Sequence, residues 1–161
     1  LPGVSASGSQ VMVLGNRAVV GNRNGMVYAL DTATGCIAWT FEADAGVRST
    51  PVAGPIANGT AGTLYFGDAH AQVYALDAAD GRLLWTYNVT SLIGGGAREG
   101  YVFRNRGVAY ADGVVYTAAG SFLFALDAKS GKPIPTFGKD GQASVILEVI
   151  LAIFLRGTLN M

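Results

Sequence analysis

Runs of four apolar residues closing on an aspartate punctuate the chain: Val27-Tyr28-Ala29-Leu30-Asp31, Val73-Tyr74-Ala75-Leu76-Asp77 and Leu123-Phe124-Ala125-Leu126-Asp127. None of the three alternates with polar residues, so each predicts a strand buried on both faces, as in a small sheet sandwiched between neighbours. The aspartate then opens a turn, where its carboxylate accepts N–H bonds from the residues that follow. Four residues on, Gly35, Gly81 or Gly131 supplies the positive φ that sends the chain back. The returning strand carries Trp39 in the first copy and Trp85 in the second, each placed to dock against the next unit. An aromatic closes each copy, at Phe41, Tyr87 and Phe137.

Tyr28, Tyr74 and Phe124 are about 46 and 50 residues apart, the period of a blade-sized all-β repeat. Further strands are predicted upstream in each unit, at 10–14 and 17–21, at 47–53 and 63–67, and at 106–110 and 114–118. Those that carry and follow the motif fall at 72–77 and 82–87 in the second unit and at 121–127 and 132–137 in the third. Four short antiparallel strands make one blade. The fold class is therefore all-β, a partial β-propeller of about three four-stranded antiparallel blades over residues 9–45, 46–92 and 101–142, within one unit spanning 1–142. Propellers close with four to eight blades, so both outer blades are left with uncovered faces. The chain is expected to be part of a longer protein, the alternative being assembly with other copies.

The third copy departs from the first two. Pro133 and Pro135 stand in its outer strand, with Pro135 at the sequence place of Trp39 and Trp85. Proline is tolerated on an edge strand, so the blade is expected to survive with an altered docking contact. After Gly141 the pattern breaks into an apolar tail, 143–161. Its stretch 143–155 is too short to span a bilayer and carries Glu148, so the tail reads as a truncated continuation.

Composition narrows the chemistry. Half of the residues are apolar, enough for a substantial core, and glycine is spread as turn punctuation. The formal net charge is zero and the charged fraction 14%, which leaves no electrostatic case for nucleic acid or anionic membrane as a partner. Cys36 is the only cysteine, which excludes an internal disulfide and a cysteine-rich metal site; a buried small hydrophobe is expected there. His70 is the only histidine, which excludes multi-histidine metal centres, and it falls in a predicted solvated turn. The run Gly94 to Gly100 fails as a phosphate loop because no Gly-Lys-Ser/Thr follows. Asn58-Gly59-Thr60 and Asn88-Val89-Thr90 match the glycosylation acceptor pattern only as short matches do.

Asp31, Asp77 and Asp127 are equivalent by repeat and therefore turn-formers, not catalysts. No general acid/base pair emerges by spacing among the remaining carboxylates. Arg48 and Arg106 stand out by position, because each begins the innermost strand of its blade. At the mouth of a central channel an arginine can present its forked donors to a carboxylate on the axis. A surface salt bridge is the alternative for each.

The repeat V-Y-A-L-D-x-x-x-G-x-x-x-W resembles the tryptophan-docking motif of quinoproteins, eight-bladed propellers that bind pyrroloquinoline quinone (PQQ). The first two units, with Gly35-Cys36-x-x-Trp39, Ala45-Gly46-Val47-Arg48 and Tyr65-Phe66-Gly67-Asp68, are similar to the polyvinyl-alcohol-dehydrogenase type. The third, with Asn105-Arg106-Gly107-Val108-Ala109-Tyr110 and Leu126 to Pro133, is more similar to PQQ alcohol and glucose dehydrogenases. The resemblance covers roughly residues 10–142. It implies PQQ and Ca²⁺ as cofactors, an alcohol or sugar substrate, cytochrome c or ubiquinone as electron acceptor, and a periplasmic location. It assigns Arg106 to the cofactor. Alcohol-dehydrogenase members carry an adjacent cysteine pair just upstream, whereas this chain has Glu99 to Phe103, which leaves the glucose type open. The family's calcium ligands and catalytic aspartate lie in later blades, so the remaining blades are expected in the full-length chain and this piece alone is expected to be inactive. A non-catalytic scaffold of the outer-membrane-assembly lipoprotein type shares the same repeat and is the rival reading.

Overall fold

The computed structural model describes residues 8–55, 62–93, 105 and 107–145. Strands β1 (Met12–Leu14), β2 (Arg17–Gly21), β3 (Met26–Asp31) and β4 (Ile37–Glu42) form one antiparallel sheet in the order 1-2-3-4. Strands β5 (Val52–Ala53), β6 (Thr63–Gly67), β7 (Gln72–Asp77) and β8 (Leu83–Asn88) repeat it. A third sheet follows from β9 (Val108–Ala111), β10 (Val114–Ala119), β11 (Phe122–Asp127) and β12 (Gln142–Ser144). Three up-and-down sheets of this kind are three blades of a partial propeller.

The run of the middle blade is buried on both faces, as its lack of alternation requires, whereas in the first blade Val27 and Ala29 are buried and Tyr28 and Leu30 only partly so. In the middle blade Leu64, Phe66, Tyr74 and Leu76 pack with Val19, Val27 and Trp39 of the first blade. The intervening residues Tyr65, Val73 and Ala75 pack with Val115, Phe124 and Leu126 of the third. Consecutive side chains of a strand point to opposite faces, so one strand feeds two cores.

Each tryptophan locks a junction. Trp39 Nε1–H donates to the Ala78 carbonyl at 3.1 Å, and Trp85 Nε1–H to the Ala128 carbonyl at 2.9 Å. Both indoles lie over the glycine of the next blade's turn: a Cβ at Gly81 would sit 2.6 Å from Trp39, and one at Gly131 would sit 2.5 Å from Trp85. The aspartate of each turn holds it in shape. Asp31 Oδ1 accepts from the N–H groups of Ala33 and Thr34, and Asp127 Oδ1 from that of Ser130.

The third blade departs from the expected strand pattern. Residues 132–137 are not its outer strand; that role falls to β12. In the first two blades a one-residue bulge separates the pairs Leu30–Ile37 and Ala29–Trp39, and likewise Leu76–Leu83 and Ala75–Trp85. In the third the same bulge opens into a loop. Leu126 bridges Pro133, the Ile134 N–H donates to the Ala125 carbonyl, and the Ala125 N–H donates to the Gly141 carbonyl. The register place of Trp39 and Trp85 is thus held by Gly141, not Pro135. Phe137 rides in the loop and meets Tyr116 edge-on at 5.8 Å. Cys36 also differs from expectation: it is exposed, because the turn after Gly35 projects into solvent beside the 53%-exposed Ile37. The tail beyond Val145 lies outside the described residues.

The docking geometry orders three substitutions. Gly35→Ala meets no atom within 4 Å and is expected to cost only the left-handed backbone penalty, about 1 kcal/mol. Gly81→Ala and Gly131→Ala must also displace an indole and are expected to cost roughly 3 kcal/mol. Urea midpoints of the three variants measure the order, and equal losses would show that the indoles are not held by these turns.

Candidate functional site

The blades have two distinct ends. One carries the turns that follow β3, β7 and β11, where the tryptophans dock. The other carries the turns between β2 and β3, β6 and β7, and β10 and β11, together with the linkers between blades. Arg48 belongs to that second, linker end.

The first linker is laced into both blades. The Ala43 N–H donates to the Gly25 carbonyl, the Val47 N–H to that of Asn22, and the Ala69 N–H to that of Gly46. Tyr74 clamps it from below. Its hydroxyl donates to Asp68 Oδ2 at 2.9 Å and accepts from the Asp44 N–H at 2.9 Å. Asp68 is only 1% exposed, and its other oxygen accepts from the N–H groups of His70 and Gln72. This carboxylate is therefore consumed in structure. His70 itself is exposed, as a turn histidine should be.

Arg48 follows the fully buried Val47, is exposed, and has no hydrogen bond or ion pair among the described residues. The second linker starts on the 3₁₀ turn Val89–Leu92, which is capped by Asn88; Asn88 Oδ1 accepts from the Thr90 N–H and hydroxyl. At its far end Asn105 packs onto Gly67 as Val47 packs onto Gly21. The residue that follows is an arginine in both cases, Arg48 and Arg106. Arg106 lies outside the described residues, as do Asn58, the glycine run 94–100 and the segment 101–104.

Asn105 is what the sequence reading missed. It is 8% exposed, its Oδ1 accepts from the Gly107 N–H at 2.8 Å, and its Nδ2 is buried with no hydrogen-bond partner among the described residues. A polar residue replaces valine at a packing position, a signal that comparison of Val47-Arg48-Ser49 with Asn105-Arg106-Gly107 could have revealed. The Arg48 guanidinium, exposed and without a partner among the described residues, fits an anionic ligand such as a multiply carboxylated quinone, whereas the Asn105 amide is buried against Gly67. Neither group fits a metal ion. Among the described residues no three histidine, cysteine or carboxylate side chains come together.

Burial drives the Tyr74 hydroxyl far above its ordinary pKa near 10, and the neighbouring Asp68 carboxylate adds to the effect. Its contribution to stability is present below about pH 10 and is lost as the pH rises above it. Tyr74→Phe leaves a buried carboxylate oxygen and the Asp44 N–H short of a partner, an expected loss of about 2–3 kcal/mol at pH 7. Alkaline titration monitored by circular dichroism checks this, since the variant should lose less than the parent between pH 9 and 12.

A family model described as the glucose/ethanol/alcohol dehydrogenase β-propeller domain, PQQ, matches residues 53–151. The polyvinylalcohol dehydrogenase of Sphingopyxis sp. (strain 113P3) is 34% identical over 61 residues, a match covering 37% of this chain and 9% of that protein. Among solved structures, the quinohemoprotein alcohol dehydrogenase from Comamonas testosteroni superposes with a TM-score of 0.60 at 21% identity. That superposition covers 79% of this chain and 20% of the other. BamB from Moraxella catarrhalis superposes with a TM-score of 0.55 at 21% identity, covering 79% and 36%. The chain thus spans well under half the length of each of these relatives.

Proposed function

The chain belongs to the PQQ family of glucose/ethanol/alcohol dehydrogenase β-propeller domains, and on that premise we propose that it is a three-blade sector of a PQQ-dependent oxidoreductase acting on an alcohol or aldose. The observation that carries the reading is the segment Asn105-Arg106-Gly107. There a buried asparagine with a spare donor replaces the valine of the preceding blade, next to an arginine. Blade packing alone has no use for that replacement.

When bound, PQQ together with Ca²⁺ would supply the acceptor for a hydride from an alcohol carbon. The chain's own contribution is electrostatic. Arg106 and Arg48 would bind the quinone's carboxylates and hold negative charge that grows on reduction. The Asn105 Oδ1 bond to the Gly107 N–H joins the two residues that flank Arg106 in sequence. Calcium ligands and the catalytic carboxylate belong to other blades, so the sector alone has no dehydrogenase activity. The partner that takes the electrons would be cytochrome c or ubiquinone, in the periplasm.

A second reading, a non-catalytic scaffold, is favoured by the likeness to BamB and by the fact that the tryptophan contacts serve packing alone.

The two are separated by adding PQQ and Ca²⁺ to the full-length protein with an artificial electron acceptor. Turnover of alcohols or aldoses is expected, with Arg106→Ala weakening PQQ binding by about ten-fold or more and Arg48→Ala by less. Equal PQQ affinity in parent and Arg106→Ala, together with no turnover, would leave the scaffold reading standing.

A further inference from the structure

A cleft opens at the docking end between the second and third blades. It has a volume of about 350 Å³ and is lined by Tyr65, Leu84, Trp85, Tyr110 and Lys129, with Pro55 at the rim. The size falls at the lower end of small-molecule pockets.

Its walls are the residues in which this junction departs from the one before it. By strand register, Tyr65 stands where the first junction has Val19, and Tyr110 where it has Ala53. Leu84 replaces Ala38, and Lys129 replaces Ala79 in the equivalent turn. Four replacements by larger or charged side chains converge on one cleft. Close packing did not require them, because the small-residue version of the junction buries its tryptophan to 8% exposure whereas Trp85 is only partly buried.

The chemistry inside is aromatic and already satisfied. Tyr65 and Tyr110 stack in parallel at 5.7 Å, and Trp85 lies 5.8 Å from Tyr65. The Tyr65 hydroxyl and the Trp85 indole N–H both donate to the Ala128 carbonyl, at 3.1 and 2.9 Å. A polyol would therefore find few free partners on the walls. Lys129 is the exposed exception. It lies near Asp127, whose Oδ1 is engaged by Ser130, and it forms no ion pair among the described residues.

From flat aromatic walls with one cation at the rim, we infer that this cleft binds a small planar aromatic carboxylate, its ring laid against Trp85 and Tyr110 and its anionic group on the Lys129 ammonium. The site stands apart from the linker end, and its occupancy does not depend on PQQ.

The test uses the ¹⁵N-labelled full-length protein titrated with 2-naphthoate and, in parallel, with the neutral 2-naphthalenemethanol. Saturable shifts are expected at the Trp85 indole N–H and at the amides of 128–131, with a Kd on the order of 10⁻⁴ M, while the Trp39 indole stays still. Lys129→Gln should weaken 2-naphthoate about five- to ten-fold and leave the neutral compound unchanged. Being a surface change, it does not threaten folding. Tyr110→Ala should abolish saturation. Equal affinity for the two compounds would overturn the role of Lys129, and with it the ligand class. Non-saturating shifts, or shifts of both indoles together, would overturn the site itself.

Discussion

Everything in this chain hangs on the contact between an indole and the turn of the next blade. A sheet of four strands of two to six residues cannot sustain itself in water, because it has two apolar faces and almost no interior. Stacking face to face buries those faces. Stacking is not specific by itself, since apolar surfaces slide. The Nε1–H bond from Trp39 to Ala78, and from Trp85 to Ala128, fixes the slide with one directional contact at each junction. The glycine beneath each indole is as necessary as the tryptophan, because any Cβ there would occupy the ring's position. The repeat is thus one interaction written in two halves, donor on one blade and receptor on the next.

The donor half was legible from the sequence because it is local and periodic. Strands at 17–21, 63–67, 72–77 and 114–118 (one residue longer in the structure), the turns at Asp31 and Asp127, and the positive φ of Gly35, Gly81 and Gly131 all follow from residue types at fixed spacing. What escaped the sequence depends on register across strands. Spacing along the chain put Pro135 at the tryptophan place, but pairing across Ala125 puts Gly141 there, because a bulge can lengthen into a loop without moving the strands that flank it. Cys36 escaped for a similar reason. Its apolar character predicts burial, yet the turn it occupies is covered by no indole among the described residues, unlike the turns at Gly81 and Gly131.

The same logic separates scaffold from function. Asp31, Asp77 and Asp127 look like a carboxylate set in sequence and are three copies of one turn. Asp68 looks free by spacing and is bound on both oxygens, to two N–H groups and the Tyr74 hydroxyl. A residue that the repeat explains has no further explanation to give. The informative positions are those where two junctions built on one plan use different side chains.

Two such places exist among the described residues, and they lie at opposite ends of the same junction. At the linker end Asn105 replaces Val47 and leaves a buried amide donor unpaired, a cost of about 1–3 kcal/mol that a valine would not carry. At the docking end Tyr65, Tyr110, Leu84 and Lys129 replace Val19, Ala53, Ala38 and Ala79, and a cleft remains where the small residues close the gap. Neither change improves packing. A fold assembled from identical junctions tolerates such departures because each junction is held independently by its own tryptophan. The bond from Trp85 to Ala128 therefore keeps the second and third blades together while both ends of their interface are given over to other chemistry.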